Sequence, residues 1–196
     1  MAHPEFHHIP LKPETPSVTI DKLARIAAPE LGGMFKDGVQ ILGHEDNNVM
    51  FPDLKAALSD SRSTTVMLEN LNGDPVGFSW AVDDELFRGV TPEEKTAYLY
   101  LSVIDPEYRG NHEVGPLVTS LMRELKNKGY KRLRRDVVIE PEKHEGYASK
   151  VLKHFLHDHQ GSLIHEHDWE GYPGLGPQKS LEIDINKYLE EVDNQP

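Results

Sequence analysis

The chain has 196 residues, 37% of them hydrophobic and 28% charged, with a mean hydropathy of −0.56. A formal net charge of −12 excludes nucleic-acid binding through a broad basic face. The absence of cysteine removes thiolate nucleophiles and cysteine zinc sites. No stretch approaches the roughly 18 apolar residues of a membrane span, and residues 1–16 lack the apolar run of a signal peptide. A soluble, cytoplasmic protein without membrane contact is therefore expected.

Length suits a single domain, large enough to bury a proper core. Residues 1–17, punctuated by Pro4, Pro10, Pro13 and Pro16, read as an extended N-terminal arm. The spacing of Leu23, Ile26 and Ala27 predicts a helix over 19–28, ended by Pro29. Glycines at 32, 33, 38 and 43 mark a loop, and 51–58 reads as a short helix. From Thr64 the pattern turns to strands, with a hairpin closed by Asn70-Leu-Asn-Gly-Asp74 and followed by an acidic connection over 83–94. Thr96 to Ile104 is the clearest strand. Its alternation places Leu99, Leu101 and Val103 on one face, and Tyr98, Tyr100 and Ser102 on the other.

A polar turn, Asp105 to Gly115, leads into a helix from Pro116 to Lys128 with Leu117, Val118, Leu121, Met122 and Leu125 at helical spacing. A strand over 133–139, a helix over 147–157 and strands over 162–167 and 179–185 complete the domain, 18–187. Residues 188–196 read as an acidic tail that frays.

The strand–turn–helix unit carries the chemistry. The first turn of a helix offers unsatisfied N–H groups and a partial positive charge. A turn of small residues lets a phosphate approach them, and an arginine at the mouth adds a charged donor.

The residues Pro106, Tyr108, Arg109, Gly110 and Gly115, followed by the passage Lys128-Gly-Tyr-Lys-Arg-Leu133, resemble the coenzyme-binding motif of the GNAT superfamily of acyl-CoA-dependent N-acyltransferases. The resemblance extends more weakly from Thr64 to Ile185. It implies an α/β (α+β) fold: a mixed, mostly antiparallel central sheet, flanked by helices and splayed near its middle. It also implies acetyl-CoA or another acyl-CoA as cosubstrate, with no metal. Its pantetheine arm would pair with backbone near Val103 and Ile104. The turn Arg109, Gly110, Asn111, His112, Glu113, Val114, Gly115 and Pro116 would hold the pyrophosphate on amides from Asn111 to Gly115. A small-molecule, peptide or protein amine would attack the thioester directly. A homodimer is implied by the same analogy.

Three positions depart from the family pattern. The turn is one residue longer and lacks the middle glycine, with His112 or Glu113 in its place. Glu113 is acidic where phosphate oxygens are expected, and so must point away. Leu152 stands where many members carry the tyrosine that protonates the leaving thiolate, and Glu145 where an asparagine is expected. Tyr147 is the phenol nearest the expected site and the candidate catalytic acid; a core or surface tyrosine is the plainer reading.

Other residues admit two readings each. Tyr98, Tyr100 and Ser102 line a pocket or pack under a helix. Glu69 and Asp83 deprotonate the amine or are solvated. Lys126, Lys128, Lys131, Arg132, Arg134 and Arg135 meet the coenzyme's 3′-phosphate or form a solvated surface. The histidines 154, 157, 159, 165 and 167 invite an alternative, a histidine-based metal protein, although no HExxH pattern is present. A second alternative is a non-catalytic acyl-CoA-binding or interaction module on the same fold.

Overall fold

The computed structural model describes residues 5–29, 39–41, 49–89, 91–138, 158–170 and 177–194. Among these, strands β1 (Phe6–Pro10), β4 (Ser63–Asn70), β5 (Pro75–Asp83), β6 (Thr96–Ile104), β7 (Arg132–Val138), β8 (Leu163–Trp169) and β9 (Gln178–Asp184) form a seven-stranded sheet. Its order is β1-β4-β5-β6-β7-β9-β8. The short strands β2 (Val39–Ile41) and β3 (Val49–Phe51) pair separately. Helices α1 (Ser17–Ala27), α2 (Leu54–Ser59) and α3 (Asp84–Arg88) belong to one side of the sheet; α4 (Val114–Asn127) and α5 (Ile185–Asp193) belong to the other.

Every neighbouring pair in the large sheet is antiparallel except β6 and β7. Parallel neighbours need a crossover, and α4 supplies it, burying Leu117, Val118, Leu121, Met122 and Leu125 at the spacing read from the sequence. The mixed, mostly antiparallel sheet flanked by helices is the architecture the resemblance implied.

Two expectations at the chain ends are corrected. Part of the N-terminal arm is the edge strand β1, registered from Phe6 opposite Asn70 to Pro10 opposite Val66. Proline suits such an edge, where a missing donor costs nothing. The acidic tail is helix α5. Asp184 caps it by accepting from the amides of Asn186 (2.9 Å) and Lys187 (3.1 Å), and Ile185, Tyr188 and Leu189 are buried. Tyr188 is 0% exposed and its hydroxyl lies 2.9 Å from that of Thr119; burial pushes its pKa up to about 12. The predicted helix over 147–157 falls outside the described residues.

The core has two layers, one on each face. Val66, Leu68, Ala97, Leu99, Leu133 and Val137 meet α4 and α5, while Met67, Phe78, Trp80, Val82, Leu101 and Val103 meet α1 and α2.

Candidate active site

The faces of β6 are not those its alternation predicts. Leu99 lies in the layer under α4, whereas Leu101 and Val103 lie in the opposite layer with Tyr98. Trp80 pairs with Leu101 and Ala81 with Leu99, so Tyr100 is an extra, unopposed residue. A bulge of this kind shifts a period-2 pattern by one and bends the strand. It falls where β6 leaves β7: the two strands pair at Thr96–Arg132, Ala97–Leu133 and Tyr98–Arg134, with no pair recorded beyond. Past Tyr98 the sheet is split.

The far end of β6 approaches β5 closely. A side chain at Gly77 would place Cβ 2.7 Å from the Val103 carbonyl oxygen, so glycine is required there. Beyond Ile104 the chain makes a compact turn. Asp105 accepts from the amide of Glu107 (3.0 Å), and the Nε of Arg109 donates to the Ile104 carbonyl (2.7 Å). Asn111 Nδ2 donates to the Tyr108 carbonyl (3.0 Å), and the Tyr108 ring meets Phe6 of β1 edge-on at 6.2 Å. Gly110 has φ +91° and His112 φ +62°, so His112 adopts the left-handed conformation that a glycine would take. A left-handed position is thus present in the turn although no glycine fills it.

Helix α4 opens at Val114, and Glu113, its N-cap, makes no side-chain capping bond. Leu117 N donates back to Glu113 O (2.9 Å), and no acceptor among the described residues is recorded for the amides of Asn111 to Gly115. Glu113 does not cover them. Its carboxylate lies 3.6 Å from His8 Nε2, on β1. Burial lowers the His8 pKa, and the carboxylate of Glu113 opposes that shift. The acidic residue that had to point away is drawn to the edge strand.

A charged cluster that sequence reasoning missed sits at the closed end of the split. Asp84, 0% exposed, pairs with Arg88 and lies 3.4 Å from Arg134. Arg134 lies 3.6 Å from Asp136 and 5.3 Å over the Tyr98 ring, and Tyr98 donates to Asp136 (3.2 Å). Burial raises the pKa of Asp84 against the pull of both arginines. Burial also raises that of Tyr98, which stays a neutral phenol. Alternation of Arg134 and Asp136 with the apolar Leu133 and Val137 in one strand was the available signal.

The predicted basic cluster is dispersed. Lys128 donates to the Ser63 carbonyl (2.8 Å), Arg132 pairs with Glu94 and Glu182, and Arg135 donates to the carbonyls of Leu99 and Tyr100. Asp83 accepts from the amide of Glu85 (3.1 Å) and from the hydroxyl of Tyr130 (3.2 Å). A cavity of about 550 Å³, lined by Val49, Arg62, Asp83, Glu85, Leu86 and Gly89, lies at the opposite end of β5 from the turn. Among the described residues no three His, Asp or Glu side chains are grouped to hold a metal ion. Tyr147, His154 and His157 lie outside the described residues. The ring of His159 packs tilted against that of Tyr188, centroids 4.6 Å apart, and His165 and His167 are exposed neighbours on β8. Among the described residues no helix is long and apolar enough to cross a membrane.

No family model matches the sequence, and no curated protein matches it. Solved structures do share the fold. A variant of spermidine N-acetyltransferase from Vibrio cholerae aligns at TM-score 0.61 and 10% identity, covering 95% of this chain and 98% of that one. An aminoglycoside 6′-N-acetyltransferase solved with coenzyme A aligns at TM-score 0.60 and 11% identity, covering 91% and 97%. A protein from Desulfovibrio desulfuricans assigned to the GNAT acetyltransferases aligns at 0.55 and 13%, covering 92% and 99%. At such identities the likeness is one of fold.

Proposed function

We propose that this chain, which has the GNAT acetyltransferase fold, transfers an acetyl or related acyl group from acyl-CoA to an amine. The observation that carries the reading is the row of amides from Asn111 to Gly115. It opens α4 with no protein acceptor recorded among the described residues, beside a sheet that splits at Tyr98.

In this reading the amides and the helix dipole bind the diphosphate. His112, in its left-handed conformation, keeps the turn in shape, and the Glu113 carboxylate lies beside His8 without capping the amides. Arg109 is fixed by its bond to the Ile104 carbonyl. That carbonyl is therefore engaged by the protein, and the open side of β6 past Tyr98 is left to receive the pantetheine arm. The amine nitrogen attacks the thioester carbon, the C–N bond forms, and the C–S bond breaks with its electron pair leaving on sulphur. No protein nucleophile is needed, so the lack of cysteine is no obstacle. Holding the two reactants together supplies much of the rate. Tyr147 is the phenol proposed to protonate the thiolate.

The spermidine and aminoglycoside enzymes act on amines, as their names say. A net charge of −12 favours the approach of a cationic amine by simple attraction. A cationic amine is accordingly the proposed acceptor class.

The test is a thermal shift with acetyl-CoA, coenzyme A and zinc, followed by thiol release across a panel of amines. Stabilisation by the coenzymes with thiol release supports transfer. Stabilisation without release favours a binding module instead. No shift with either coenzyme defeats both, and a shift with zinc alone would revive the metal reading.

A further inference from the structure

Arg135 occupies the first position of β7 beyond its pairing with β6. Its Nη1 donates to the Leu99 carbonyl (2.7 Å) and to the Tyr100 carbonyl (2.8 Å), which belong to the bulge and the residue before it. Its Nε is buried without a hydrogen-bond partner. No carboxylate among the described residues forms an ion pair with it, whereas the adjacent Arg134 is balanced by Asp84 and Asp136. Arg135 is only partly buried, with carbonyl dipoles as its recorded acceptors and its buried Nε donor unmade. A guanidinium held in this way is suited to an anion.

The position also fits the route of a long ligand. Leu133 and Val137, two residues either side of Arg135, pack in the layer under α4, so Arg135 leaves β7 on the side where α4 opens. From Tyr100 to Ile104 is four strand steps, about 13 Å. The turn that presents the amides stands at one end of the split, and the guanidinium at the other.

We infer that Arg135 is a catalytic residue whose guanidinium meets the coenzyme sulphur at the closed end of the split and stabilises the departing thiolate. The inference rests on the acyl-CoA reading above. As the C–S bond breaks, its electron pair settles on sulphur and Arg135 donates a hydrogen bond to it. The arginine keeps its proton throughout, because guanidinium does not deprotonate in proteins. The amine attacks in its neutral form; its nitrogen sheds a proton to solvent once the C–N bond has formed, and the thiolate takes one from solvent or a neighbouring acid. Electrostatic stabilisation of developing charge in this way makes a phenol at Leu152 unnecessary.

The experiment uses coenzyme A and desulfo-coenzyme A, the analogue lacking sulphur, titrated calorimetrically at pH 7 and pH 9. A free thiol ionises near about 8.5, and a tenfold preference for thiolate lowers that by one unit. Wild-type affinity for coenzyme A should rise about sixfold from pH 7 to pH 9, with the affinity for the analogue flat. In Arg135→Gln the rise should vanish while the analogue still binds, and Arg135→Lys should restore part of it. Should Arg135→Gln keep the full rise, or should it weaken coenzyme and analogue equally and leave the pH dependence unchanged, the residue is a structural strut and the inference fails with the acyl-CoA reading intact. If wild-type protein binds neither compound, both fall together.

Discussion

His112 holds a φ of +62° although it carries a Cβ, a conformation costing roughly 1 kcal/mol for an L residue. Nothing in its surroundings repays that locally, since the side chain is exposed. His112→Gly relieves that conformation but loosens the unfolded chain, so the unfolding free energy should change by less than about 1 kcal/mol in urea titration, and a larger loss of stability would show that the histidine is anchored. The sequence shows that a glycine is missing from the motif, but not which neighbour takes its backbone shape; that follows from how the whole turn closes. The direction of Glu113 was equally hidden, because its partner His8 comes from a strand at the far end of the chain. The burial of His8 has a pH signature. Burial places the folded pKa of His8 below its unfolded value of 6.5. The unfolded chain therefore binds the proton more readily. The stabilising contribution is complete above about 6.5 and is lost as pH falls through the folded pKa. Urea unfolding at pH 7 and pH 5 should show a larger drop for wild type than for His8→Gln.

Elements with strong local signals were legible. The apolar face of α4, the hairpin of β4 and β5, and the long strand β6 all follow from residues within a few positions of one another. The bulge was not, since Tyr98 to Val103 reads as an unbroken alternation and Tyr100 becomes an extra residue only when β5 is laid beside it. Helix α5 was misread as a tail because three acidic residues in its last turns, Glu190, Glu191 and Asp193, masked the spacing of Ile185, Tyr188, Leu189 and Val192. A chain ending at residue 187 tests the correction. A free tail could be removed without effect, whereas loss of a fully buried tyrosine and its helix is expected to cost about 3 kcal/mol or more, read as a lowered urea midpoint.

At the scale of the molecule, the family resemblance, carried by the turn motif and by element order, implied the architecture, and the parallel step between β6 and β7 around α4 agrees with it. The closing of the split by Arg135, and the balance of Asp84, Arg134 and Asp136 behind it, depend on pairings between distant segments that no local pattern encodes. The site therefore divides in two. Its proposed anion-binding mouth was written in a motif, while the charges at its closed end were legible only as polar residues in an apolar strand.

Both halves presuppose that the amides heading α4 receive a diphosphate, and Gly115→Glu addresses this most directly. The substitution sets a carboxylate among those amides at a partly exposed position, where folding should change by no more than about 0.5 kcal/mol. Calorimetric titration with acetyl-CoA should show saturable binding to the wild-type protein. The variant, with its melting temperature preserved, should bind at least about a hundredfold more weakly, about 2.7 kcal/mol. Equal affinity in the two proteins would contradict the account.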